Sequence, residues 1–254
     1  MKLKRVAVED NETYQNIETG EIAVTDSPIG FEKSALENAV WSQPTGAYSE
    51  IELVSPSKIV CVGRNYADHA KELGNDVPSA PLLFLKAPSS LAWNQNVISL
   101  PEQSTQVEHE GELAIVIGRK ASKMAATEDP LNYVFGYCCL NDVTARDVQR
   151  ADVQFTRGKS FDTFCPIGPH IETELMPAVL SLRVYVNGEI RQSGNTSDMI
   201  FDIPYLIRYI SNQMTLLPGD IVATGTPAGV SKLRNGDTCT VEIEGIGRLE
   251  NKVE

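Results

Sequence analysis

The stretch QVEHEGELAIVIG, Gln106 to Gly118, sets three glutamates and a histidine against an uninterrupted apolar run. Side chains alternate along a strand, so Glu108, Glu110 and Glu112 share one face of an extended backbone. Leu113 to Ile117 carries no polar residue on either face, the pattern of a strand buried on both sides. Two readings of the acidic end stay open. An E-x-E beside an apolar run is commonly a solvated strand end, and Glu108 is the glutamate expected to lie only at the surface. Alternatively a cation compensates the charges, since no basic residue adjoins Glu110 or Glu112 in the sequence.

The bulk properties narrow the class. A chain of 254 residues buries about 70–75% of its unfolded surface, enough for one large domain or one large and one small. Hydrophobic residues make up 42% and charged residues 22%, ordinary for a soluble globular protein. The formal charge of −12 argues against a nucleic-acid or anionic-membrane partner, because phosphate repulsion is not offset. No apolar run reaches the ~18 residues of a spanning helix. The start, MKLKRVAVED, lacks the apolar core of a signal peptide, so a cytoplasmic location is expected. Cys61, Cys138, Cys139, Cys165 and Cys239 show no C-x-x-C spacing and read as reduced core thiols.

Residues 1–54 read as a small N-terminal β domain and connector. Residues 2–8 alternate, the ETGE turn at Glu18–Glu21 joins two further short runs, and Pro28-Ile29-Gly30 and Pro44-Thr45-Gly46 mark a loop-rich link. Residues 55–254 form the main domain, opened by the buried strand Lys58–Gly63. A helix from Tyr66 to Leu73 follows, with Asn65 as its cap and Gly74-Asn75 as its stop. At two turns it is marginal alone and is expected to be a mobile lid. Asn187-Gly188 and Asn235-Gly236 each signal a hairpin. Asp129–Asn132 begins a turn and Pro204–Asn212 has the pattern of an amphipathic helix. The fold class is mixed and β-dominated, α+β.

Asp142 arrives in YCCLNDVTARDVQ, where another apolar strand gives way to a polar turn. Carboxylates at the ends of neighbouring strands can converge. Three such oxygens, without thiol or imidazole, suit a hard cation such as Mg²⁺ or Mn²⁺ with open positions. The order H-E-G-E is not the helical H-E-x-x-H of zinc peptidases. Without such an ion, the mutual repulsion of the carboxylates is expected to destabilise the fold.

From about Pro56 to the end, the chain resembles the fumarylacetoacetate hydrolase superfamily. The matching pieces occur in order: GRNYADHAKE, LFLK, EHEGELAIVIG, NDVTARDVQ, GKSFDTFCPIGP, VNGEIRQSGNTSDMIF and PGDIVATGTPAGV. The resemblance is to its compact branch, which holds acylpyruvate hydrolases, oxaloacetate decarboxylases or tautomerases, and 2-hydroxyhepta-2,4-diene-1,7-dioate isomerases. It implies a β-roll with a short lid helix, one Mg²⁺ or Mn²⁺ per chain, and a homodimer. It also implies Glu110, Glu112 and Asp142 as metal ligands, His69 and Glu72 as the lid pair, and Lys159 as a catalytic cation. Arg146, Gln149 and Thr226 match substrate-contacting positions. The larger fumarylacetoacetases carry a fourth aspartate ligand seven residues before the histidine, and here Val62 stands there. That disfavours fumarylacetoacetate and favours a smaller pyruvyl substrate.

Each of these residues also has a plainer reading. His69 and Glu72, at i and i+3, share a helical face, so the carboxylate can orient the imidazole as a base; without the other motifs, His69 is an exposed helix histidine. Lys159 reads equally as a surface lysine, and Arg146 as a salt-bridge partner of Asp142 or Asp147. Gln149 and Thr226 suit their own turns. Arg64 is a candidate substrate contact that could pair with Asp68 instead. The expected activity is divalent-metal-dependent C–C bond hydrolysis of 3-acylpyruvates, with oxaloacetate decarboxylation or tautomerisation and dienedioate isomerisation as alternatives. A non-catalytic metal- or ligand-binding protein is the competing class, against which His69, Glu72 and Lys159 argue.

Overall fold

The strand Gly111–Ile117 is the centre of the molecule in the computed structural model, which describes residues 1–8, 11–24 and 30–254. It pairs antiparallel with Val134–Asn141 on one side and with Ile221–Ala223 on the other. Its two faces enter different cores. Leu113, Ile115 and Ile117 pack with Leu182, Val184 and Val241, while Ala114 and Val116 pack with Leu3, Phe135 and Cys138. Each large apolar side chain buried this way contributes about 1.5–3 kcal/mol relative to exposure, which explains the unbroken apolar run.

Among the described residues the large sheet has 12 strands. From the central strand it continues through Ile221–Ala223 to the parallel Ile59–Gly63 and then Leu82–Lys86. In the other direction it passes from Val134–Asn141 to Cys165–Glu172, and there it meets the chain's beginning: Leu3 pairs with Ile171. Lys2–Val8, Asn11–Asn16, Ile22–Val24 and Val40–Ser42 extend the sheet edge in that order. The division at residue 54 is therefore a division within one sheet, and Leu3 and Tyr14 share a core with Ala114 and Val116. The turn expected at Pro28-Ile29 lies outside the described residues.

A second, five-stranded sheet packs over the first: Glu189–Asn195, Ser181–Val186, Thr238–Ile243, Gly247–Val253 and Val97–Ile98. Asn187 and Gly188 both take positive φ, 53° and 81°, and close the expected two-residue hairpin. Asn235-Gly236 makes a turn but joins no paired strands. The hairpin partner of Thr238–Ile243 is Gly247–Val253, while Lys232 bridges to Glu108. The helix Ile203–Gln213 buries Ile203, Leu206, Ile207 and Ile210 on one stripe, and the Asp202 side chain accepts the Tyr205 N–H at 2.8 Å as its cap.

The short helix runs Ala67–Glu72, with Tyr66 at the cap position and no side-chain cap. Asn65 does not cap it. Its amide donates to the Phe201 and Thr224 carbonyls at 3.0 and 2.8 Å and accepts the Phe201 N–H at 2.8 Å. Fully buried, it ties the helix entry to two distant loops. No helix among the described residues is long and apolar enough to cross a membrane.

Candidate active site

The acidic end of the central strand is buried. Glu108, Glu110, Glu112 and Asp142 are 8%, 4%, 2% and 0% exposed, so the solvated-strand-end reading does not hold. Glu108 is not a surface residue: it accepts Arg146 Nε at 2.8 Å and Gln106 Nε2 at 2.6 Å. Two bonds bring the acidic segments together, Asp142 N–H to the Glu110 carbonyl at 2.8 Å and Glu110 N–H to Asn141 Oδ1 at 3.0 Å. Between the glutamates, a Cβ on Gly111 would come within 2.2 Å of Val184 Cγ2. Only glycine lets the second sheet approach here.

Tertiary structure supplies the positive charge that the neighbouring sequence lacks. Lys159 Nζ donates to Glu110 Oε2 and Asp142 Oδ2, each at 2.7 Å, and stands 5.0 Å from the Phe84 ring centroid. Lys86 Nζ donates to Asp142 Oδ1 at 2.6 Å, with both side chains fully buried. Arg146 pairs with Glu108 and Glu110, and its second fork arm reaches Gln149 Oε1 at 2.6 Å. Its expected partners Asp142 and Asp147 are engaged elsewhere, Asp147 by Ser104 and Thr105. Nor is Lys159 a surface lysine. The expected repulsion is thus answered for Glu108, Glu110 and Asp142 by three buried cations, while Glu112 forms no ion pair among the described residues.

Charge is distributed unequally within the group. For Glu110, burial opposes ionisation, but Lys159 and Arg146 outweigh it and hold the carboxyl well below its usual range. Glu112 has no such partner. Burial, reinforced by the charges of Asp142 and Glu110, pushes its carboxyl well above the usual range, despite the Gly225 N–H donated to it at 2.7 Å. Burial likewise disfavours the Lys159 ammonium, yet Asp142 and Glu110 hold it protonated beyond its ordinary range.

These groups line a cavity of about 330 Å³ that also receives His69, Arg64, Gln149 and Thr226. Nine of the ten residues singled out from sequence line it; the tenth, Glu72, stands behind His69. His69 is buried, and its Nδ1 lies 3.3 Å from Glu72 Oε2. Glu72 also accepts the Gly229 N–H at 3.0 and 3.1 Å, which holds the short helix against that loop. Arg64 has φ 58°, a backbone conformation non-glycine residues adopt sparingly and that clusters at functional sites. Asp68 pairs with Lys71 at 3.4 Å, not with Arg64. The Thr226 hydroxyl donates to the Gly111 carbonyl at 2.8 Å and accepts Gln192 Nε2 at 2.7 Å, so it braces the wall. Val62, at the fourth-ligand position, lines the cavity with an apolar surface.

Sequence reasoning left Lys86, His109 and Gln192 without roles. Gln192 is fully buried, and its Nε2 donates to the Pro227 carbonyl at 2.6 Å, which sets the amide orientation. Its Oε1 therefore accepts the Gly111 N–H and His109 Nδ1, both at 3.0 Å. The imidazole Nε2 is left to accept Ser231 Oγ at 2.8 Å, and burial lowers the His109 pKa. The available signal was positional: a lysine closing the apolar LLFLK run, and polar residues inside otherwise apolar or hairpin segments.

The profile of the fumarylacetoacetate hydrolase C-terminal domain matches residues 58–254. The chain belongs to the fumarylacetoacetate hydrolase family. It is an enzyme of that family. An uncharacterised protein of Methanocaldococcus jannaschii is 50% identical over 212 residues, covering 84% of this chain and 89% of that protein. The oxaloacetate tautomerase YisK of Bacillus subtilis is 44% identical over 223 residues, covering 81% and 74%. The crystal structure of 2-hydroxyhepta-2,4-diene-1,7-dioate isomerase from Mycobacterium marinum is similar over 100% of this chain and 98% of its own, at 38% identity and a TM-score of 0.83. The match begins just before the strand Ile59–Gly63, and the N-terminal sheet extension precedes it.

Proposed function

We propose that this member of the fumarylacetoacetate hydrolase family catalyses enolisation of short 2-oxo acids built on pyruvate, with keto–enol tautomerisation of oxaloacetate as its first candidate reaction. The observation that carries the reading is one cavity lined by three buried carboxylates and a buried histidine backed by a carboxylate. Ligand oxygens of Glu110, Glu112 and Asp142 lie within 4.8 Å of one another. This all-oxygen set, with Glu112 forming no salt bridge among the described residues, fits a hard divalent cation, and the residues would hold Mg²⁺ or Mn²⁺. Such an ion, when bound, supplies Lewis-acid stabilisation of negative charge on a 2-oxo acid's oxygens.

The chain's own residues move the proton. With Nδ1–H directed at Glu72, His69 presents Nε2 as the base that takes the C3 proton. The C3–H electron pair becomes the C2=C3 bond, and the proton returns to the C2 oxygen to give the enol. Glu72 acts as the positioning residue for the tautomer. Lys159 places positive charge beside the carboxylates, and Arg64, Arg146, Gln149 and Thr226 shape the surrounding wall. The 44% identical tautomerase supports this reaction, and the isomerase relative supports proton transfer on a related enol diacid.

A second reading, hydrolysis of 3-acylpyruvates, is favoured by the size of the cavity. At about 330 Å³ it leaves room beyond a four-carbon acid for an acyl group and an attacking water, which the same His69–Glu72 pair can activate. A substrate panel separates the two: decay of the oxaloacetate enol band, cleavage of acylpyruvates, and isomerisation of the hydroxy-dienedioate, each with and without Mg²⁺ or Mn²⁺. The expected outcome is enol decay well above the spontaneous rate, lowered ~10²–10⁴-fold by His69→Ala. Enol decay at the spontaneous rate with every ion, beside turnover of acylpyruvates, would replace the first reading by the second. Saturating metal, at about 100-fold over its dissociation constant, is expected to add roughly 2.7 kcal/mol of stability. An unchanged melting temperature would remove the metal from the proposal.

A further inference from the structure

Arg146 and Arg150 stand four residues apart on the helix Arg146–Ala151, so their side chains leave one face a turn apart. Both line the cavity, and their circumstances differ. Arg146 is buried and engaged by Glu108, Glu110 and Gln149. Arg150 is exposed at the rim, and its one side-chain hydrogen bond among the described residues is a 3.4 Å contact to Gln106 Oε1. Asp152, which also lines the cavity, does not pair with it. Arg157 holds Asp152 bidentately, at 2.7 and 2.6 Å. Deeper in the cavity, Lys159 is engaged by Glu110 and Asp142.

The cavity therefore has a floor whose cations are committed and a rim with an available guanidinium. We propose that Arg150 is a specificity-determining residue, receiving the distal carboxylate of a dicarboxylic 2-oxo acid whose 2-oxo-carboxylate end faces Glu110, Glu112 and Asp142. The inference rests on the preceding reading of the site and adds the residue that reads the distal carboxylate. A dianionic ligand approaching a chain of net charge −12 needs local positive potential at the cavity mouth. The guanidinium fork matches a carboxylate in a way a lysine ammonium does not. Arg64, entering the same cavity from the strand end after Gly63, adds a second positive charge to the mouth.

The test uses a matched pair, oxaloacetate and 2-oxobutyrate, which differ by a carboxylate in place of a methyl group. Solvent exchange of the C3 hydrogens, followed by NMR in D₂O with Mn²⁺ or Mg²⁺, reports enolisation of both. Calorimetric dissociation constants for the two compounds give a readout independent of turnover. Wild type is expected to prefer the dicarboxylate in both measurements, and Arg150→Gln to reduce that preference about tenfold or more, the loss of a charge-assisted hydrogen bond. Arg150→Lys should fall between. A wild type that binds the two compounds equally, or an unchanged preference in Arg150→Gln, overturns the inference. If neither compound exchanges but the binding preference still follows Arg150, the enolisation reading fails and the assignment of Arg150 stands.

Discussion

The floor of the cavity and its lid side are both polar, and they are held by different forces. At the floor, Lys86, Lys159 and Arg146 meet Glu108, Glu110 and Asp142 as buried ion pairs. At the lid, Asn65 and Glu72 attach the helix Ala67–Glu72 through bonds to the backbone at Phe201, Thr224 and Gly229. A buried charge that loses its partner leaves an uncompensated ion, whereas a neutral amide that is lost leaves only unsatisfied backbone groups. The floor is thus rigid because any opening is costly. The bonds that hold the helix Ala67–Glu72 cost less to break than the ion pairs of the floor.

The largest effect should come from Lys86→Met, which leaves Asp142 with only Lys159. A loss of about 3–5 kcal/mol in urea or guanidinium unfolding is expected. A loss below about 1 kcal/mol would show that the floor is not held by its ion pairs. On the lid side, Asn65→Leu should cost about 1–3 kcal/mol through the Phe201 N–H and the two carbonyls it strands. Amide exchange should rise over residues 66–73 more than at the central strand. Equal acceleration in both places would erase the distinction between the regions.

The smallest effect sharpens the comparison by removing background acid sensitivity. His170 lies on the strand Cys165–Glu172, outside the cavity lining, and its buried Nε2 has no hydrogen-bond partner among the described residues. Burial first, and then the charge of Lys2, lowers its pKa to about 4. The folded state therefore holds this imidazole neutral while the unfolded chain protonates it near pH 6.5. Between about pH 6.5 and 4 the unfolded state binds more protons, so stability falls as pH falls. The contribution is about 1 kcal/mol after allowance for solvent screening. Replacing the residue, as in His170→Gln, should flatten the stability profile over that window. An unaltered profile would show that His170 does not carry the acid sensitivity in this window.

Much of the site was legible because its chemistry is local in sequence. Glu110 and Glu112 flank a glycine at a strand end, His69 and Glu72 share one helical face, and Asp142 ends the adjoining strand. Their types and spacings allowed a carboxylate group and an oriented imidazole, but equally a solvated strand end and an exposed histidine. The ordered motifs that resemble the family tipped the reading. Glu108 was misjudged for a physical reason: alternation says which residues share a face, not what covers that face. Arg146, 36 residues away in sequence from Glu110, covers it. Lys86 was missed because its partner Asp142 is 56 residues distant, and a lysine ending an apolar strand usually points to solvent.

The amino-acid order by itself determined the doubly buried central strand, the tight Asn187-Gly188 hairpin and the amphipathic helix Ile203–Gln213, since each depends on periodicity or on backbone freedom within a few residues. Tertiary structure alone decided that the N-terminal strands extend the main sheet, that Asn65 fastens loops instead of capping a helix, and that Asn235-Gly236 joins no paired strands. It also decided that Glu110 is held ionised while Glu112, two residues along, is pushed toward its protonated form. Hydrogen-bond partners and electrostatic fields are set by whatever the fold brings within a few ångströms, and for buried groups those neighbours come from distant parts of the chain.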